Sequence, residues 1–144
     1  MTGRLDWLLL AVAHRRGEAL SPVQIQKAMF LMRQEAAAIV GDDFYHFVPY
    51  NYGPFDSDIY RDLDSLTERG LIAKLNVPNR SWQYFAATPI GMDAAEGVKK
   101  AVGATGSDFL GRVVDWVSSQ PFPELLKAIY SKYPEFRKNS VFVG

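Results

Sequence analysis

The stretch that decides the fold is LDSLTERGLIAKLNVPNRSWQYFAATPIG, residues 63–91. Just before and within it, Ile59, Leu63 and Leu66 recur at helical spacing, which predicts an amphipathic helix over Asp56–Arg69. Gly70 suits the left-handed position that ends a helix. Leu71–Val77 and Trp82–Ala87 then alternate in part between apolar and polar residues. The turn residues Pro78-Asn79-Arg80-Ser81 separate them, so the two runs predict a β-hairpin. Thr88-Pro89 closes the stretch as a helix start, a capping hydroxyl followed by the residue best suited to the first helical position.

Upstream, Arg4–Arg16 predicts a helix that is apolar on most sides, ended by Gly17. Ser21-Pro22-Val23-Gln24 predicts a second helix start with a capping box. Ile25, Met29, Met32, Ala36 and Ile39 carry its apolar stripe to about Val40, before Gly41-Asp42-Asp43. Between the second and third helices lies an aromatic segment, Phe44–Phe55, in which Pro49 and Gly53-Pro54 forbid a long regular element. A short extended piece is expected around Tyr45–Val48. Downstream, Gly103-Ala104-Thr105-Gly106 separates the fourth helix from a fifth that starts near Ser107, with Phe109, Val113, Trp116 and Val117 on its apolar face. Pro121 and Pro123 open a sixth helix carrying Leu125, Leu126, Ile129, Tyr130 and Tyr133, and Pro134 stops it. The expected class is mainly α with a small β-hairpin (α+β). A core over residues 1–104 is followed by a helical extension over 105–144.

The chain has 144 residues, the size of one domain, and 48% hydrophobic residues give it ample material for a core. It has no cysteine, which excludes a disulfide framework and thiolate metal ligation. The apolar run Trp7–Ala13 is far short of the roughly 20 residues a bilayer span needs. Its flank, His14-Arg15-Arg16, does not suit a signal peptide either. The expectation is a cytoplasmic protein with no membrane partner. Sixteen basic and sixteen acidic residues leave the net charge at zero. Dedicated nucleic-acid binders are usually basic, because neutralising phosphates supplies most of their affinity.

Three helices followed by a hairpin resemble the winged helix-turn-helix superfamily, with extra helices at the C-terminal end. Leu63-x-x-Leu66-x-x-x-Gly70-Leu71-Ile72 is similar to the entry into the wing of such regulators, and Tyr84-Phe85-x-x-Thr88-Pro89-x-Gly91 to the exit from it. A narrower resemblance covers residues 21–72. Gln26-Lys27-Ala28-Met29-Phe30-Leu31, Tyr52-Gly53-Pro54-Phe55 and Ile59-Tyr60 look like the Panacea-domain proteins, a family of bacterial and phage antitoxins and their relatives. In that family a Trp often precedes the Gly-Pro, where this chain has Val48-Pro49-Tyr50-Asn51. The resemblance implies a winged-helix-like core and neutralisation of a toxin by direct contact.

Two functions follow as expectations. The first is a DNA-binding transcriptional regulator whose third helix enters the major groove. Its candidate contacts are Lys27, Arg61, Lys74, Asn79 and Arg80, with Asn76 and Gln83 beside the wing tip and Arg15, Arg16 and Arg33 extending a basic edge with Lys27. The second is an antitoxin-like module that binds a partner protein. Its candidates are Tyr50, Asn51, Tyr52, Asp58, Asp64, Glu68 and Trp82. Asp56–Arg69 holds five acids against two bases, and its outward face, Ser57, Asp58, Arg61, Asp64, Ser65 and Glu68, carries three acids and one base. That balance opposes phosphate and suits a basic protein. No catalytic motif, cofactor site or metal site is expected. His14 and His46 are the only histidines, and Asp42 and Asp43 near His46 make at best a loose trio. The C-terminal helices serve either for packing within the chain or for a homodimer. The β-prone tail Asn139–Val143 suits a sheet edge or a partner.

Overall fold

The structure is a computed structural model and describes residues 3–142. Helix α1 spans Arg4–Ala13, and every residue from Trp7 to Ala13 is buried. Helix α2, Pro22–Glu35, opens with the expected capping box: Ser21 Oγ accepts from the Gln24 N–H at 3.2 Å, and the Gln24 side chain accepts from the Ser21 N–H at 2.9 Å. The helix does not run on to Val40. It breaks at Ala36 (φ −138°, ψ 36°), and a short helix α3 follows over Ala37–Val40. The helical spacing continues through the break, but burial decides the path. The bend leads the chain toward Phe44 and Tyr45, both sunk in the core, and leaves Ile39 exposed at the edge.

The aromatic segment is more regular than expected, and its extended part lies later than Tyr45–Val48. Strands β1 (Val48–Tyr50) and β2 (Gly53–Phe55) form a tight antiparallel hairpin in which Pro49 faces Pro54, so the two residues without an N–H share one rung. Gly53 closes it at φ 93°, in the region that favours glycine. Helix α4 is Asp58–Glu68, with Ile59, Leu63 and Leu66 buried as the spacing predicts. Strands β3 (Ile72–Asn76) and β4 (Gln83–Ala87) then form the second hairpin, registered from Ile72↔Ala87 to Asn76↔Gln83. Leu20 exchanges both backbone bonds with Phe85, at 2.8 and 2.9 Å, which adds a one-residue strand ahead of α2.

Helix α5, Pro89–Ser119, bends at Gly103 (φ 83°) and resumes at once instead of near Ser107. Gly106 is no break. A Cβ there would lie 3.0 Å from the Trp7 ring and 3.2 Å from Ile39, so glycine lets α5 close on α1 and α3. The buried face of this half is Leu110, Val113, Val114 and Val117, while Trp116 is left substantially exposed. Helix α6 (Phe122–Lys132) and a 3₁₀ turn at Pro134–Arg137 complete the chain. Leu125, Leu126, Ile129 and Tyr130 join the same core as Trp7, Phe30 and Leu63, so the C-terminal helices pack on the body of the chain. The architecture is mostly helical with small antiparallel hairpins. Among the described residues, no helix is long and apolar enough to cross a membrane.

Candidate functional site

Helix α2 holds the β1–β2 hairpin through two neighbouring side chains. The Gln26 amide donates to the Asp56 carbonyl at 2.9 Å and accepts from the Asp56 N–H at 3.0 Å, replacing a sheet partner for that residue. Lys27 was expected on an exposed basic edge. It is 3% exposed, and its ammonium donates to the Pro54 carbonyl at 3.1 Å. With no carboxylate in ion-pair distance among the described residues, burial alone pulls its pKa down to about 7. The basic edge does not assemble, because Lys27 points inward, Arg15 is tied to Glu18 and Arg33 is half-buried.

Over Lys27 the hairpin spreads an aromatic surface. Tyr50 stacks on Phe55 with centroids 4.9 Å apart, and Phe55 meets Tyr60 of α4 at 5.9 Å. Tyr52 meets Phe122 of α6 edge-on at 5.7 Å. Tyr50, Tyr52, Phe55 and Tyr60, with Val23, Gln26, Lys27 and Gly53, line a cavity of about 190 Å³. Tyr50 remains 50% exposed and Tyr52 47%, and Asn51 is exposed at the turn between them. The tail lies against that turn: the Val141 N–H donates to the Asn51 carbonyl at 2.9 Å, and Phe142 packs edge-on against Phe122. The tail thus binds its own chain, and Val143 lies outside the described residues.

Helix α4 carries its carboxylates where the sequence implies, but they are largely paired within the chain. Asp58 meets Arg61 at 3.0 Å and Arg4 at 3.3 Å, and Asp64 meets Lys74 of β3 at 2.7 Å. Glu68 is exposed with no ion-pair partner among the described residues. On the helix Arg61 is open, its side chain 79% exposed. At the tip of the second hairpin, Asn79 takes φ 66°, and Arg80 and Trp82 are exposed with the guanidinium 5.8 Å from the Trp ring.

One buried cluster went unread in the sequence. Tyr45 donates to Asp62 at 2.6 Å, and Arg4 approaches the same carboxylate at 3.0 Å and covers the Tyr45 ring at 5.1 Å. Burial, then the bond to Asp62, pushes the Tyr45 phenol above its ordinary range. The signal was there: Asp62 lies on the same helical face as Ile59, Leu63 and Leu66, and a carboxylate on a buried stripe requires a partner. His46 is exposed, and its backbone N–H donates to Asp56. Among the described residues no group of His, Asp or Glu side chains could hold a metal ion. No protein-family model matches the chain, and no curated protein is significantly similar to it.

Proposed function

We propose that this chain is a non-catalytic winged-helix regulatory module that acts by docking a basic partner protein on α4 and the aromatic β1–β2 hairpin. The element order supports the winged-helix reading: a one-residue strand at Leu20, helices α2 and α4, then the β3–β4 wing. The observation that carries the protein-binding reading is the aromatic surface of Tyr50, Tyr52 and Tyr60, which stays uncovered on and beside α4. On that helix Glu68 is exposed with no ion-pair partner among the described residues, while Arg61 and Lys74 each pair with an α4 carboxylate. Aromatic anchors rimmed by charge are what a specific protein interface uses. In this reading the module resembles a Panacea-type antitoxin, with a toxin as one such basic partner. The test is reconstitution with the partner that co-purifies from the native cell. Tyr50→Ser with Tyr52→Ser, and separately Asp64→Lys with Glu68→Lys, should each weaken the complex at least tenfold. Unchanged affinity in both would sink the reading.

A DNA-binding transcriptional regulator is the second reading, favoured by the wing tip. Arg80 is exposed there with no carboxylate partner among the described residues, as a minor-groove contact requires. Titration against the chain's own upstream DNA and a random duplex at two salt concentrations separates the readings. Specific, salt-sensitive binding lost on Arg80→Ala would establish the regulator. The apolar groove of about 320 Å³ between α5 and α6, where Trp116 is exposed, is the face proposed for a homodimer. Sedimentation velocity of Trp116→Ser against the unaltered chain tests that.

A further inference from the structure

We propose that the cavity between α2, the β1–β2 hairpin and Tyr60 binds a small carboxylic acid with a flat apolar body, its carboxylate on the Lys27 ammonium. The case begins with Lys27. An ammonium has three N–H donors, and among the described residues it meets one acceptor, the Pro54 carbonyl at 3.1 Å. A cation buried without a counter-charge is costly unless an anion and further hydrogen bonds compensate. Among the described residues no carboxylate forms an ion pair with it. Asp56, two residues beyond Pro54, gives its oxygens to the N–H groups of His46 and Asp58 at 2.9 and 2.8 Å. Lys27 is one of the residues that line the cavity.

The shape of the cavity selects the rest of the ligand. At about 190 Å³ it is small, and an engineered cavity of roughly 150 Å³ already holds a benzene ring. One ring with a short acid arm is the size that fits. Tyr50, Phe55 and Tyr60 offer ring faces and edges to a flat body. Gly53 borders the lysine head closely: a Cβ there would lie 3.3 Å from Leu126 Cδ2, 3.4 Å from Lys27 Cε and 3.6 Å from Nζ. Both ends of the Gln26 amide are spent on Asp56, so Gln26 fixes one wall without competing for the ligand. Such a site is pre-formed, apolar at its sides and polar at one point, as small-molecule pockets generally are. It also lies under Tyr50 and Tyr52, which gives a bound acid a means of altering the surface offered to a partner.

The test needs the purified chain and no partner, so it stands or fails independently of the docking reading. Phenylacetate is titrated in and followed by calorimetry and by amide NMR, with phenylacetamide as its neutral isostere. The expected result is saturable binding of the acid, with shifts centred on Lys27, Gly53 and Tyr60. The amide should bind at least tenfold more weakly, and Lys27→Met should lose at least tenfold in affinity for the acid. Equal binding of acid and amide, shifts centred elsewhere, or no saturation at millimolar acid would overturn the proposal. The acid–amide comparison uses the unaltered chain, so the proposal stays testable even where Lys27→Met disturbs folding.

Discussion

The chain contains two hairpins built on different principles. The β3–β4 hairpin is held largely by local means, with the Leu20–Phe85 bridge added from ahead of α2. It has five residues a strand, a turn of its own and a helix that starts at its foot. There Thr88 Oγ1 donates to the Gly70 carbonyl at 2.6 Å and accepts from the Gly91 N–H at 3.0 Å. The β1–β2 hairpin has three residues a strand and is held from outside, by Gln26 and Lys27 of α2 and by the tail against Asn51. The first has a base buried in the core and a polar tip reaching into solvent, and the second is an aromatic plate fastened to the body. A two-stranded ribbon alone is marginal in water, so each needs support. The source of that support decides which perturbations each hairpin feels.

The largest expected effect breaks the local support. Helix α5 meets the base of the β3–β4 hairpin at Gly91, where a Cβ would fall 1.8 Å from the Leu71 carbonyl oxygen. That oxygen already accepts from the Thr88 N–H at 3.1 Å and belongs to backbone, which cannot step aside. Gly91→Ala should therefore cost at least about 3 kcal/mol, read as a lower midpoint in urea unfolding. Gly97→Ala, on the same helix with nothing within 4 Å of the added atom, should instead stabilise by about 0.5–1 kcal/mol. A similar loss at both positions would mean that close packing at Leu71 is not what makes Gly91 necessary.

The next largest effect breaks the remote support. Gln26→Ala removes both bonds to the Asp56 backbone and leaves a partly buried N–H and C=O without partners. A loss of about 2–3 kcal/mol is expected, since orphaned buried groups cost their desolvation. Hydrogen exchange should speed up over residues 44–56 while Ile72–Ala87 keeps its protection. Equal loss of protection in both hairpins would show that they unfold as one unit.

The same contrast explains what the sequence disclosed. The β3–β4 hairpin was legible because its determinants are neighbours: a helical stripe ending at Gly70, turn residues at 78–81, and Thr88-Pro89. The capping box at Ser21 and Gln24 was legible for the same reason. The β1–β2 hairpin was not, because its fastenings come from residues about thirty positions earlier and nearly ninety later. Lys27 illustrates the difficulty. Charged residues on helices are usually solvated, and nothing beside Lys27 in the chain announces that Pro54 will cover it. The break at Ala36 and the contact of Gly106 with Trp7 are likewise consequences of packing. Local propensity carries no trace of either. The docking surface divides along the same line: the acids of α4 were evident, but their pairing with Arg4 and Lys74 depends on how the elements meet.

The smallest expected effect concerns Lys27 itself and sharpens the distinction between a fastening and a site. Its folded pKa of about 7 lies below the ordinary 10.5. Between those values the unfolded chain binds a proton at Lys27 that the folded chain does not, so stability rises with pH across that window. The rise is at most about 1.4 kcal/mol per pH unit for one group. Below pH 7 both states are protonated and the cost of the buried charge is fully present. The phenols of Tyr45 and Tyr60, raised by burial, act only at higher pH and with the opposite sign, so the measurement belongs between pH 7 and 9. Lys27→Met keeps the length of the side chain and gives up one bond to Pro54. Its stability at pH 7 should lie within about 1 kcal/mol of the unaltered chain, and its rise from pH 7 to 9 should be smaller by the Lys27 contribution. A fold that needed the amine as a fastening would lose several kcal/mol in Lys27→Met at every pH. A near-neutral change with a flattened pH profile would mean that the fold tolerates the lysine's absence, and that the charge is kept for what enters the cavity.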